Sequence, residues 1–278
     1  MKIIQMNILD NPNTTLTGYI QEPSKELATM SSRPAVLVLP GGAYLFTSDR
    51  EAEPIALTYA AEGFQTFVLR YSVGKRAAGC KPLREAEEAL RIIRENAGAW
   101  HVKADQIAVC GFSAGGHLAA WVGLQGAEKP NAIVLGYPAV QLFSQEDTGD
   151  SAILKALLGD DYTRQDAERL NLDQHVDDNA VPMFCWGTAE DMLDVSALLR
   201  LGAAYGAHNK QFELHVFQEG EHGLSLAVPH TANGRLSMVD DQAAHWVPLS
   251  ISWLWRRFGA PEVVDKPYEP IPGLIPQD

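Results

Sequence analysis

The chain has 278 residues, 46% of them hydrophobic and 21% charged, and carries a net charge of −13 at pH 7. That length suits one large α/β domain or two small ones and is ample for a sizeable core, and both shares are ordinary for a soluble globular protein. The acidic balance argues against a nucleic-acid partner, which needs a basic face, and no run approaches the roughly 18 apolar residues of a membrane helix.

Cys80, Cys110 and Cys185 are widely spaced and form no C-x-x-C pair, which points to a reducing compartment. The first ten residues are interrupted by Gln5, Asn7 and Asp10 and lack the apolar core of a signal peptide. The expectation is a cytoplasmic protein.

Strand-like and helix-like segments alternate along the chain. Residues 3–8 and 15–21 read as strands joined by a turn at Asp10-Asn11-Pro12-Asn13. Residues 35–39 form a short continuous apolar run, as a strand buried on both faces should. A helix over 51–62 ends at Gly63, and a strand over 66–71 follows. Pro82 opens a helix over 83–97, in which Leu83, Ala86, Leu90, Ile93 and Ala97 recur at steps of three and four. Strand 107–110, helix 114–124 and strand 132–135 come next.

Residues 141–180 break the rhythm. They are rich in Asp, Gln and Asn, with short helical pieces near 153–158 and 166–170, and read as an insertion over a binding face. Strand 183–186, helix 195–205, strand 212–217 and an amphipathic helix over 240–258 complete a single domain spanning 1–260. The tail, 261–278, carries Pro261, Pro267, Pro270, Pro272 and Pro276 and reads as extended on the surface. Eight strands in this order imply a mostly parallel sheet with helices on both faces and ligands at the carboxyl ends of the strands.

Gly111-Phe112-Ser113-Ala114-Gly115 completes the pattern G-x-S-x-G between a strand and a helix. A serine on that turn points its hydroxyl out of the sheet, and the following helix aims its N-terminal N–H groups at an oxyanion formed there. The hydroxyl needs a base to take its proton, and the base needs an orienting acid. Of eight histidines, His222 alone lies just past the last strand in a glycine-flanked loop, Glu219-Gly220-Glu221-His222-Gly223. His117 sits one turn inside a helix, where packing or capping is expected. After strand 183–186 both Glu190 and Asp191 qualify as the acid, with Asp194 more distant, and Asp191 is preferred. Pro40-Gly41-Gly42-Ala43-Tyr44 follows the third strand, where an oxyanion donor is required. Gly42 or Ala43 should supply one donor and Ala114 another, with Tyr44 as a bulky wall on the acyl side.

On these motifs, together with Gly116-His117-Leu118-Ala119 and Glu221-His222-Gly223-Leu224, the chain resembles an α/β-hydrolase of the acetyl-esterase and lipase-like branch, which includes carbohydrate acetyl-xylan esterases. The resemblance implies the α/β-hydrolase fold, with Ser113 as nucleophile, Asp191 as acid and His222 as base. It departs at Pro40 and Ala43, where lipase-like relatives have His and a third Gly, and at Asp194, where relatives often have Pro. The implied activity is a serine carboxylesterase removing short acyl groups, most readily acetyl, from carbohydrates such as xylo-oligosaccharides. An arylformamidase-like amidase or peptidase on the same triad, and a non-catalytic binding protein, are the competing readings. No two histidines share the close helical spacing of a zinc site, and the P-loop and dinucleotide glycine patterns are missing, so neither metal nor cofactor is expected. The expected partner is a small-molecule or oligosaccharide ester, with no nucleic acid and no membrane.

Overall fold

Short apolar runs dictate the centre of this molecule. In the computed structural model, which describes residues 1–143 and 151–265, eight strands form one sheet in the order β1-β2-β4-β3-β5-β6-β7-β8. They are β1 (Lys2–Ile8), β2 (Asn11–Ile20), β3 (Arg33–Leu39), β4 (Gln65–Arg70), β5 (Val102–Phe112), β6 (Ala132–Gly136), β7 (Met183–Thr188) and β8 (Phe212–Phe217). Strands β3 to β8 run parallel, and β2 pairs antiparallel with both β1 and β4. Every residue of β3, β6 and β7 is buried, as helices on both faces require.

The helices are α1 (Glu53–Ala61), α2 (Lys81–Glu95), α3 (Ala114–Gln125), α4 (Ala152–Leu158), α5 (Arg164–Glu168), α6 (Val195–Ala207) and α7 (Trp246–Phe258). Alternation along a strand sends successive side chains to opposite faces. Leu37, Val109, Leu135 and Cys185 therefore meet Leu90 and Ile93 of α2, Leu118 and Val122 of α3 and Leu201 of α6. On the other face, Val36, Val38, Val134 and Phe184 meet Ile55 and Tyr59 of α1 and Trp253 and Leu254 of α7. Among the described residues no helix is long and apolar enough to cross a membrane.

Several boundaries shift: α1 starts at Glu53 after a 3-10 turn at Asp49–Glu51, β5 starts at Val102 and β7 runs to Thr188, and two further shifts have a clear local cause. The first hairpin turns at Leu9 and Asp10, both with φ near +50°, and not over residues 10–13. The register jumps from Ile8↔Asn11 to Asn7↔Thr15, so Pro12 sits in a bulge where it owes the ladder no N–H. The last helix begins at Trp246, preceded by a 3-10 turn at Ala243–His245, and not at residue 240. Pro248 cannot donate to the helix ladder and is confined to the first turn, which sets that start.

The segment read as an insertion contributes α4 and α5, and its residues 144–150 lie outside the described residues. Asp160, Asp161, Gln165, Asp177, Asp178 and Asn179 are exposed and Asn171 is buried, while Leu154, Leu157, Ala167, Leu170 and Leu172 join the core. The Leu157 carbonyl accepts the Cys80 N–H, and the Val140 carbonyl accepts the Leu172 N–H. The segment thus packs on loops that follow the carboxyl ends of β4 and β6. In the tail, Pro261 lies in a stretch without helix or strand, and Pro267, Pro270, Pro272 and Pro276 fall outside the described residues.

Candidate active site

Ser113 occupies the single residue between β5 and α3, with φ +52° and ψ −119°. A non-glycine residue held there stores strain, and the turn aims the side chain away from the sheet. Its flanking glycines are required by contact. A Cβ on Gly115 would stand 2.1 Å from the Leu39 carbonyl oxygen, and one on Gly111 would stand 2.1 Å from that of Gly115. Strand β5 therefore delivers Ser113 beside the carboxyl end of β3.

His222 and Asp191 arrive from the loops after β8 and β7. Ser113 Oγ lies 2.7 Å from His222 Nε2, and His222 Nδ1 lies 2.9 Å from both Asp191 carboxylate oxygens. The Asp191 side chain is 6% exposed against 21% for His222, so the acid lies beneath the imidazole. Asp191 Oδ1 also accepts the Leu193 N–H at 2.7 Å, which fixes the carboxylate. Thr188 Oγ1 donates to the Gly220 carbonyl at 2.6 Å and ties the two loops together. Glu190 is exposed, and Asp194 caps α6 by accepting the Ser196 N–H. Neither competes with Asp191 for the imidazole.

The loop after β3 lies against the serine. A Cβ on Gly41 would come within 3.0 Å of Ser113 Cβ and 2.7 Å of a Glu51 carboxylate oxygen. The Gly41 N–H donates to Glu51, whereas the N–H groups of Gly42, Ala43 and Ala114 meet no acceptor among the described residues. The sequence reading named Ala114 and one of Gly42 or Ala43 as oxyanion donors.

Tyr44 departs from expectation. It is fully buried, so it cannot present a wall to the acyl side. Ala43 and Tyr44 both have φ above +50°, which turns the ring inward, where its hydroxyl pairs with His117 Nδ1 at 2.7 Å. The bulky apolar surface of this loop belongs instead to Leu45 and Phe46, which are 47% and 59% exposed.

Two residues that the sequence reading passed over also join the site. Tyr137, the residue after β6, lays its ring edge-on against that of His222, with centroids 5.1 Å apart. Its place just past a strand end was a usable signal. Glu51 is buried, and nothing in its sequence neighbourhood distinguishes it from a solvated charge before a helix. Burial pushes its carboxyl up from the ordinary range, while hydrogen bonds from Tyr137 and Gly41 pull it back. Among the described residues no group of three or more His, Cys, Asp or Glu side chains is arranged to hold a metal ion. Chemically, the arrangement couples a serine hydroxyl to an oriented imidazole beside three free N–H donors.

Likenesses to known proteins run along most of the chain. The sequence model of the BD-FAE family matches residues 20–196, a span that includes Ser113 and Asp191. The acetylxylan esterase of Xylanibacter ruminicola is 24% identical over 241 residues, which is 81% of this chain and 46% of that protein. The chain spans 33% and 46% of the length of the curated relatives it matches. MGS-M1, an alpha/beta hydrolase enzyme from a Medee basin deep-sea metagenome library, is 40% identical with a TM-score of 0.79 and covers 92% of this chain and 98% of its own. The acetyl ester-xyloside bifunctional hydrolase from Caldicellulosiruptor lactoaceticus is 31% identical with a TM-score of 0.74 and covers 90% of each chain.

Proposed function

This chain belongs to the BD-FAE family and to the α/β-hydrolases, and from that premise we propose that it is a serine carboxylesterase acting on short-chain acyl esters, in particular acetyl groups on carbohydrates. The observation that carries the reading is the unbroken chain from Ser113 Oγ through His222 to Asp191, at 2.7 and 2.9 Å. In this reading Ser113 Oγ attacks the ester carbonyl carbon while His222 Nε2 takes its proton. The carbonyl oxygen becomes an oxyanion, received by the N–H of Ala114 and by that of Gly42 or Ala43. Collapse breaks the bond to the alcohol, which leaves with the proton from His222. Water then attacks the acyl-serine, again giving its proton to His222, and the carboxylic acid departs as Ser113 is restored. Asp191 accepts the Nδ1–H throughout, fixing the tautomer and stabilising the imidazolium.

The acetyl and carbohydrate parts draw support from the xylan- and acetyl-directed names of the relatives, and the polar outer face of residues 151–180 offers hydrogen bonds for sugar hydroxyls. Two measurements test the reading. A fluorophosphonate probe should label the wild type and not a folded Ser113→Ala variant. Values of kcat/KM should be highest for acetyl esters, low for octanoyl esters, and higher for acetylated xylo-oligosaccharides than for triglycerides. An unlabelled wild type would remove the serine mechanism, and a rate that climbs from acetyl to octanoyl would remove the short-acyl preference.

A further inference from the structure

The loops that carry the oxyanion donors and His222 are 180 residues apart in the chain, yet they meet through one buried carboxylate. Glu51 is 4% exposed and ends a 3-10 turn, Asp49–Glu51, just before α1. One of its oxygens accepts the Gly41 N–H at 2.8 Å, and the other accepts the Tyr137 hydroxyl at 2.6 Å. The Tyr137 oxygen in turn accepts the Ser225 N–H at 2.9 Å, three residues beyond His222. Arg50, the neighbour of Glu51, donates to the Gly223 carbonyl at 2.8 Å, and its own carbonyl accepts the Ser225 hydroxyl at 2.5 Å. Two consecutive residues therefore grip the backbone just past the imidazole and, at Gly41, the loop in contact with Ser113.

We infer that Glu51, acting through Gly41 and Tyr137, is a positioning residue that clamps the oxyanion loop to the histidine loop and so holds both in register with Ser113. The arrangement of donors explains why an acid stands there. Gly41 and Tyr137 both present hydrogens, and a carboxylate offers an acceptor to each. A neutral acid would place a hydrogen on one of those two oxygens, where it would face the Tyr137 or Gly41 hydrogen that a carboxylate simply accepts. Burying a charge is costly unless it is paired or hydrogen-bonded, and here both oxygens are engaged by the two loops that the reaction needs aligned. Misplacing a reacting group by about 1 Å can cost on the order of a hundredfold in rate, so the clamp acts on turnover more than on binding.

The rate effect rests on the esterase reading, and the clamp itself does not, so the test reads them separately. Glu51→Gln keeps the shape and loses one acceptor, and Tyr137→Phe keeps the ring on His222 and loses the hydroxyl. In folded variants, kcat on a small acetyl ester should fall about tenfold or more while KM changes less than about threefold. The double variant should be no slower than the slower single one, because both cut the same link. Amide hydrogen exchange should quicken at Ser225 in Glu51→Gln, where the Ser225 N–H donates to Tyr137 and not to Glu51, and at Gly41 in Tyr137→Phe. Unchanged exchange across the link in both variants overturns the clamp, whatever the activity. Wild-type kcat in both variants of an active enzyme overturns the positioning role, as does a loss of kcat that adds in the double variant. A wild type that turns over no ester counts against the esterase reading, and the exchange measurement still decides the clamp.

Discussion

The hydroxyl of Tyr44 lies 2.7 Å from Nδ1 of His117, with the two rings edge to face at 5.7 Å and neither residue exposed. His117 Nε2 lies 2.9 Å from the Leu170 carbonyl, so Nε2 carries the proton and Nδ1 accepts from the tyrosine. This buried chain joins the loop after β3, the helix after Ser113 and the segment that follows α5. Beneath the site, the loop that carries the Gly42 and Ala43 N–H groups is held from below.

Tyr44→Phe leaves Nδ1 of His117 buried without a donor. The expected cost is about 1–3 kcal/mol of unfolding free energy, the penalty for an unsatisfied buried acceptor. Urea unfolding of the variant beside wild type measures it. A cost within a few tenths of a kcal/mol would show that the pair contributes nothing net to the fold.

The same histidine makes stability depend on pH. Burial pushes the His117 imidazole down to about 4 from its ordinary 6.5, against an opposing hydrogen bond to Leu170. As pH falls through that window the unfolded chain takes up a proton that the folded chain refuses, so stability drops on acidification and recovers above it. The full effect of this one group is at most about 3 kcal/mol. Unfolding free energies taken across the window for wild type and His117→Gln should show a shallower slope in the variant. Identical slopes would place the titration elsewhere.

Ser113 is held at φ +52° in a region that L side chains avoid. Ser113→Ala keeps the Cβ and the strain, whereas Ser113→Gly releases it at some entropic cost in the unfolded chain. The glycine variant should be about 1 kcal/mol more stable than the alanine variant, with both inactive. Equal melting temperatures for the two would mean that the turn carries no usable strain.

Asp191 and Glu190 are neighbours with unlike surroundings, one 6% exposed against His222 and the other on the surface. Losing a carboxylate that sets the tautomer of a triad histidine costs roughly 10⁴-fold in kcat. Asp191→Asn should approach that, His222→Ala should cost more, and Glu190→Gln should cost little. Ester hydrolysis by the three variants under one set of conditions decides it, and a Glu190→Gln defect as large as that of His222→Ala would reverse the assignment.

Much of this molecule was legible in the chain itself, because the signals involved act between near neighbours. The apolar runs of β3, β6 and β7, the turn at Ser113 and the order Ser113, Asp191, His222 past the ends of β5, β7 and β8 all follow from local pattern. Pro248 was equally local and would have placed the start of α7. Tertiary structure alone decided which way Tyr44 faces, that Leu45 and Phe46 form the exposed apolar surface of its loop, and that Glu51 is buried. Those outcomes depend on partners 73 residues away for Tyr44 and 86 for Glu51. Periodicity and turn chemistry fix where a backbone goes over a few residues. Whether an acid or a phenol ends up in water or in a buried hydrogen-bond chain depends on what distant segments bring against it, and only the folded chain makes that choice.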